Sequence, residues 1–383
     1  MSASAFVEAC RALCDAAAAP QPDRAAIRRL GVDVSKRGAS VGVDQLSAGA
    51  ERLRGLVDHE DPVVAAEAAI ALGCFVEYGL PPNLVGSTLV ARTSGTLSRA
   101  RPYYEALVAE FERAGDSAVD QAKEDEIVWG GDYQVTREAA RAIAKGMPAE
   151  ADAYVALKNL CLPTIAALTR EADLRRAARA NAALVASAAA LRNDAAGFLH
   201  QLLVGVGAAE WIVLHAPNRK GFVVRVHEIV DNWVLQPLLA NALVTVKHGG
   251  FLGFGGRTLG PSDGLAGRRP PADLVACLQG RGPNTLPEPA YGQWEAYTFH
   301  AIGKDAKLRE SQLDNKIWNE GIPIDIPELD GHRVVVLGAQ MIERSWNAGR
   351  TFAALGSDIE HVRTLSRGES EQWFERCAAA KQE

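Results

Sequence analysis

The chain has 383 residues, of which 48% are hydrophobic and 23% are charged, and its formal net charge is −6. This composition is typical of a folded protein and excludes a disordered chain, and the length favours two domains. The acidic balance argues against nucleic acid as the main partner, because phosphate binding normally requires an excess of basic residues.

The sequence also predicts where such a protein would reside. No apolar run approaches the roughly 20 residues of a membrane helix, so we expect no membrane partner. The first residues lack the basic stretch of a signal peptide, and Glu8, Arg11 and Asp15 interrupt their alanines. Six cysteines are too few for a disulfide framework in a chain of this length. We therefore expect a cytoplasmic protein.

Alanine divides the chain into two parts. Residues 1–200 contain 47 alanines and residues 201–383 contain 19, whereas six of the seven tryptophans fall at or after Trp211. Alanine favours helix, and tryptophan fits pleated surfaces. We expect an α+β protein with a helical domain over 1–200 and an α+β domain over 201–383, the latter built on an antiparallel sheet plus helices. The alternative is a single domain whose helices pack on its own sheet.

A possible repeat begins at Asp61, where the sequence reads Asp-Pro-Val-Val and continues through alanines to Ala-Leu-Gly73. Asp61 is suited to the N-cap and Pro62 to the first helical position. Val64, Ala68, Ala71, Leu72 and Phe75 then share one helical face. This segment resembles the second helix of a HEAT repeat.

A segment beginning at Asp132 matches the same frame, and a poorer copy begins at Asp173, where Arg176 replaces the expected valine. The resemblance covers roughly residues 45–200 and implies stacked helix pairs whose surface suits a protein or peptide. A plain helical bundle is the alternative, because any alanine-rich amphipathic helix matches so loose a pattern.

Residues 210–229 predict a β-hairpin, because two runs rich in valine, isoleucine and aromatic residues flank a polar turn. A three-residue loop over 218–220 would place Trp211 and His215 on the same face as Arg225 and His227. A slip of one residue would separate the two histidines.

Further elements are expected along the second half. Helices are predicted over 234–244, 271–279, 304–319, 339–355 and 369–380, and a buried strand over 332–338 follows a turn at Asp330-Gly331.

The candidate catalytic residues are His215, Arg225, His227 and Asp231. His215 and His227 could also hold a transition metal together with His248, since imidazole is a common ligand. The alternative is that these histidines belong to half-buried strands, and no compact ligand motif is present. We therefore expect no metal and no cofactor.

Candidate ligand-binding residues lie in two places in the second half: Trp211, Trp233 and His248 around the hairpin, and Arg344, Trp346 and Arg350 on the expected helix 339–355. Arginine forks match carboxylate or phosphate groups. A solvated helix face with a packed tryptophan is the alternative interpretation of the second group.

The absence of catalytic motifs and the repeat-like helices favour recognition of a protein or peptide, through the helical surface and the loops of 249–299. The alternative is an enzyme whose active site includes His215, Arg225 and His227.

Overall fold

The computed structural model describes residues 3–114, 127–129, 133–191, 194–244, 246–248, 257–259, 265, 267–283, 285–291, 294–340, 345–349, 352 and 354–380. The chain divides into two compact units, Met1–Leu203 and Val204–Glu383. We call them the helical unit and the sheet unit.

In its described residues the helical unit contains α-helices, two short 3-10 helices and an antiparallel β-hairpin. The helices are α1 (Ala3–Ala17), α2 (Arg24–Gly38), α3 (Val43–Leu53), α4 (Pro62–Glu77), α5 (Gly86–Ala114), α6 (Arg137–Gly146), α7 (Pro148–Arg170), α8 (Ala172–Ala180), α9 (Ala182–Ala190) and α10 (Asp194–Val204). Strands β1 (Ile127–Trp129) and β2 (Gln134–Thr136) form the hairpin. Within the part of the chain that the structure describes, no helix is both long and apolar enough to span a membrane.

Helix α4 is the central element of this unit. Asp61 caps it by accepting a hydrogen bond from Val63 N at 2.9 Å, and Pro62 follows the cap, as the sequence predicts. Of its 16 residues 13 are buried, because α2 and α7 pack against it. The predicted face is buried, but so is most of the remaining surface of this helix.

Close contacts hold α4, α5 and α7 together. A Cβ atom added to Gly73 would lie 2.8 Å from Cα of Pro163, so glycine permits α4 to approach α7. The hydroxyl groups of Thr93 and Thr164 form a buried hydrogen bond of 2.8 Å between α5 and α7. Small residues therefore set the spacing of the three helices.

The other two HEAT-like frames are not formed as predicted. Residues Gln134–Thr136 are a strand, and α6 begins after it with Thr136 as its cap. Helix α8 is capped by Glu171, so Asp173 lies inside its first turn. The frame that begins at Asp132 starts outside the described residues.

The sheet unit contains strands and three α-helices within its described residues. The strands are β3 (Ala209–His215), β4 (Lys220–His227), β5 (Val246–His248), β6 (Arg257–Leu259), β7 (Thr285–Tyr291), β8 (Trp294–Thr298), β9 (Glu328–Leu329), β10 (His332–Gln340), β11 (Ser345–Gly349) and β12 (Asp358–Thr364). The helices are α11 (Asn232–Leu243), α12 (Ala272–Leu278) and α13 (Arg367–Ala380).

The main sheet has the strand order β12-β4-β3-β10-β8, with β9 paired to β10. The predicted α+β class is confirmed, but the sheet is mixed rather than antiparallel, because β3 and β10 pair in parallel. Strand pairs β5-β6 and β7-β11 form two separate ladders.

Each face of the main sheet is covered. Trp211, Val213, Phe222 and Val224 belong to a core that includes apolar residues of α11 and α12. On the opposite face, Ile212, Leu214 and Val223 belong to a core that includes Trp373 and Phe374 of α13. The sheet unit therefore has three layers.

Two predicted helices of the second half are wrong. Residues 339–355 contain the end of β10 and all of β11, because pairing with β7 imposes an extended backbone there. Residues 304–319 form turns, with only a short 3-10 turn at Leu313–Asn315, because Ala306 has a φ of 56° that no helix accepts. The helices predicted at 234–244, 271–279 and 369–380 are confirmed as α11, α12 and α13.

Candidate functional site

The predicted register of the hairpin is wrong, and this separates the candidate catalytic residues. Ala216–Asn218 form a 3-10 turn and Arg219 is left-handed with a φ of 55°, so four residues rather than three join the strands. His215 therefore pairs with Lys220. Odd residues of β3 share a face with even residues of β4, and His215 lies on the face opposite to Arg225 and His227.

His215 lies at the margin of the core that α11 covers. Its ring is 6.4 Å from the ring of Trp294, and its Nδ1 atom is buried without a hydrogen-bond partner among the described residues. Burial is the main cause of its lowered pKa. These features are those of a neutral, packed histidine.

Arg225 and His227 belong to a charged network on the other face. Arg225 donates a hydrogen bond to Glu210 at 2.8 Å and lies 3.7 Å from Glu360. His227 Nε2 is 3.9 Å from the same carboxylate of Glu360. All four side chains reach solvent, so this network forms a solvated sheet surface.

The other candidates near the hairpin have structural positions. Asp231 is 5% exposed and caps α11 by accepting a hydrogen bond from Val234 N at 2.7 Å. Burial raises the pKa of its carboxyl group. Trp211 is 1% exposed in the core, and Trp233 is half-buried in the first turn of α11.

The remaining candidates cannot be placed as side chains. Arg344 and Arg350 lie outside the described residues, and for His248 and Trp346 only the strand backbone is described. No group of three or more metal-ligating side chains occurs among the residues that the structure describes.

The helical unit carries an open pocket between α2, α4 and α7. We call it the apolar pocket; its lining residues are Arg24, Ala25, Arg28, Arg29, Val32, Val63 and Val155, and its volume is about 650 Å³. Val155 is 66% exposed and Val32 is 45% exposed. Two exposed aliphatic side chains therefore lie within one concave surface.

Ion pairs fix the wall of the apolar pocket. Arg24 donates hydrogen bonds to Asp61 at 2.8 Å and to Asp152 at 2.6 Å, and these bonds raise its pKa. Burial opposes ionisation of Asp61, but the hydrogen bonds from Arg24 and from the start of α4 lower its pKa. Arg28 pairs at 3.1 Å with Glu67, which is 4% exposed within α4. Arg29 forms no ion pair among the described residues.

A second pocket lies between α5 and residues near the beginnings of α4 and α7. We call it the arginine pocket; its lining residues are Asp58, Pro62, Ala91, Arg92, Gly95, Thr96, Arg99 and Ala153, and its volume is about 340 Å³. Pro62 of this pocket directly precedes Val63 of the apolar pocket in α4, and Ala153 lies two residues before Val155 in α7, so the same two helices line both pockets.

Arg92 is held in a partly buried position within the arginine pocket. It donates a hydrogen bond from Nη2 to the carbonyl oxygen of His59 at 2.8 Å. Its Nε atom is buried and has no hydrogen-bond partner among the described residues. Burial lowers the pKa of this guanidinium, Asp58 opposes the shift, and Arg99 adds to it.

Comparison of the chain with protein-family models, curated proteins and solved structures found no match. The two pockets therefore have to be interpreted from their own geometry. Sequence reasoning missed them, because their residues come from segments up to about 130 positions apart. The available signal was Arg92 and Arg99 at a spacing of seven, with Gly95 between them.

Proposed function

We propose that the helical unit binds a segment of a protein or peptide partner through the apolar pocket, with an apolar side chain of the partner seated among Val32, Val63 and Val155. The single observation that supports this proposal is the exposure of Val32 and Val155 in one open, concave surface. Burial of those side chains by a partner would remove apolar area from water.

The shape of the apolar pocket favours a macromolecular partner. Sites for small molecules usually enclose most of the ligand surface. This pocket is wide and open on one side, so it suits a side chain that projects from a larger body. Arg29, which forms no ion pair among the described residues, provides hydrogen-bond donors beside the valines, and arginine is common in protein interfaces.

The alternative, an enzyme with His215, Arg225 and His227 in one active site, has no supporting observation. His215 lies on the face of the sheet opposite to the other two residues. The loops of 249–299, part of the contact surface expected from the sequence, lie partly outside the described residues and do not enter the proposal. We place the interaction in the cytoplasm, which the six free cysteines support.

The test is selection of binders from a random-peptide phage library with the full chain, followed by affinity measurements on synthetic peptides. The Val155→Asp variant should bind the selected peptides at least tenfold more weakly, a loss of about 1.4 kcal/mol. Val155 is largely exposed, so this change places a charge in the pocket without burying it in the fold.

The matched control is Val43→Asp. Val43 is 45% exposed at the first position of α3, outside both pockets, and an acidic residue is favourable at a helix N-terminus. This variant should retain the affinity of the parent chain. Failure to enrich any peptide, or equal affinity of the Val155→Asp variant, would overturn the proposal.

A further inference from the structure

The lining of the arginine pocket contains more basic than acidic side chains. Arg92 and Arg99 are seven residues apart on α5, which places them on one face because seven residues make nearly two turns. Asp58 is the acidic residue that lines this pocket. Two guanidinium groups and one carboxylate leave an excess of one positive charge.

Some of the donors in this pocket lack acceptors. Arg99 is exposed and forms no ion pair within the described ranges of the chain, and Nε of Arg92 is buried without a partner there. Guanidinium groups form short, charge-assisted hydrogen bonds with carboxylate and phosphoryl oxygens. An oxyanion between them would accept those hydrogen bonds and offset the repulsion between the two arginines.

Gly95 leaves the space that such a group requires. It lies one turn after Arg92 and one turn before Arg99, and a Cβ atom added there would meet no atom within 4 Å. Glycine is unfavourable within a helix compared with alanine, and no packing contact at this position requires it.

We propose that the arginine pocket binds an oxyanion, a carboxylate or a phosphoryl group, of the partner segment. This inference rests on the proposed function and deepens it: the partner carries an acidic or phosphorylated residue beside the apolar residue that enters the apolar pocket. Helices α4 and α7 contribute neighbouring residues to both pockets, Pro62 beside Val63 and Ala153 near Val155, so a single segment of the partner can reach both.

The first experiment requires no peptide. The thermal unfolding of the full chain is measured with inorganic phosphate and with acetate, at constant ionic strength against chloride. Each bound anion should raise the unfolding temperature in a concentration-dependent manner. A response to both anions assigns a carboxylate site, and a response to phosphate alone assigns a phosphoryl site.

Variants of α5 show whether the response arises in this pocket. Arg99→Gln should abolish it, because one of the two cationic groups is lost. Gly95→Glu should also abolish it, because a tethered carboxylate occupies the open space. Arg101→Gln should keep it, because that side chain pairs at 2.6 Å with Glu105 outside the pocket. The inference would be overturned if the parent chain showed no response, or if Arg99→Gln and Gly95→Glu responded as strongly as the parent.

The second experiment uses the peptides selected with the full chain. Each is synthesised with serine, glutamate or phosphoserine at its acidic position, and the glutamate or phosphoserine form should bind at least tenfold more tightly than the serine form. That preference should disappear in Arg99→Gln. Anion binding without peptide binding would contradict only the proposed function. Peptide binding whose preference for glutamate or phosphoserine is unchanged in Arg99→Gln would contradict only this inference.

Discussion

Two glycine-to-alanine substitutions test how closely the helices of the helical unit pack. At Gly73 in α4, the new Cβ atom would lie 2.8 Å from Cα of Pro163 in α7. A backbone atom cannot rotate away, so α4 and α7 must separate. At Gly95 in α5, the new Cβ atom would meet nothing within 4 Å. We expect Gly73→Ala to destabilise the unit and Gly95→Ala to stabilise it.

The magnitudes follow from two terms. Alanine is more favourable than glycine in a helix interior by about 0.5–1 kcal/mol, and this gain applies to both variants. Overpacking at Gly73 costs roughly 1–3 kcal/mol. The shared gain cancels in the comparison, so the free energies of unfolding of the two variants should differ by about 1–3 kcal/mol.

The assay is urea unfolding followed by far-ultraviolet circular dichroism, which reports mainly the helical unit. Tryptophan fluorescence provides an internal reference, because six of the seven tryptophans belong to the sheet unit. The fluorescence transition should be unchanged in both variants. Equal stability of Gly73→Ala and Gly95→Ala would refute the close approach of α4 and α7.

Three further predictions concern the sheet unit. Asp231→Ala should lower the free energy of unfolding by about 1 kcal/mol, because the α11 cap is lost. Asp231→Asn keeps the cap, and it should be more stable than the parent near neutral pH because burial raises the pKa of the aspartate. This advantage should disappear as the pH falls and the parent carboxyl group becomes protonated. Acidification from about pH 7 to about pH 5 should destabilise the parent chain, because the unfolded chain binds a proton that half-buried His215, with its lowered pKa, does not; His215→Gln should reduce this slope, as urea titrations at each pH would measure. Arg219→Ala should lower the free energy of unfolding by roughly 1–2 kcal/mol, because the contacts with Glu371 and the Phe374 ring are lost. Arg219→Gly should have an unfolding temperature between those of Arg219→Ala and the parent, since glycine accepts the left-handed backbone at this position.

The hairpin shows what local sequence can predict. Alternating apolar residues located both strands, because burial on a sheet has a period of two residues. The register depended on the loop length, and a change from three residues to four moves every side chain of one strand to the other face. Nothing between Ala216 and Lys220 in the sequence distinguished these lengths, since any residue there can enter a turn.

The wrong helices show where tertiary pairing decides. Residues 345–349 have no strong strand pattern, and β11 exists because β7 pairs with it. Asp61 and Pro62, by contrast, encode the beginning of α4 locally, and that prediction was confirmed. The pockets of the helical unit depend on how α2, α4, α5 and α7 assemble, and periodicity alone does not contain that information.

Arg24 joins Asp61, the N-cap residue of α4, to Asp152 in the second turn of α7, and its own side chain lines the apolar pocket. A ligand in the apolar pocket that displaces the guanidinium would also shift the residues next to both aspartates, Pro62 and Ala153, which line the arginine pocket. Thermodynamic linkage requires any such influence to be mutual. The two parts of a bound segment would then bind cooperatively, because binding in one pocket would change the affinity of the other.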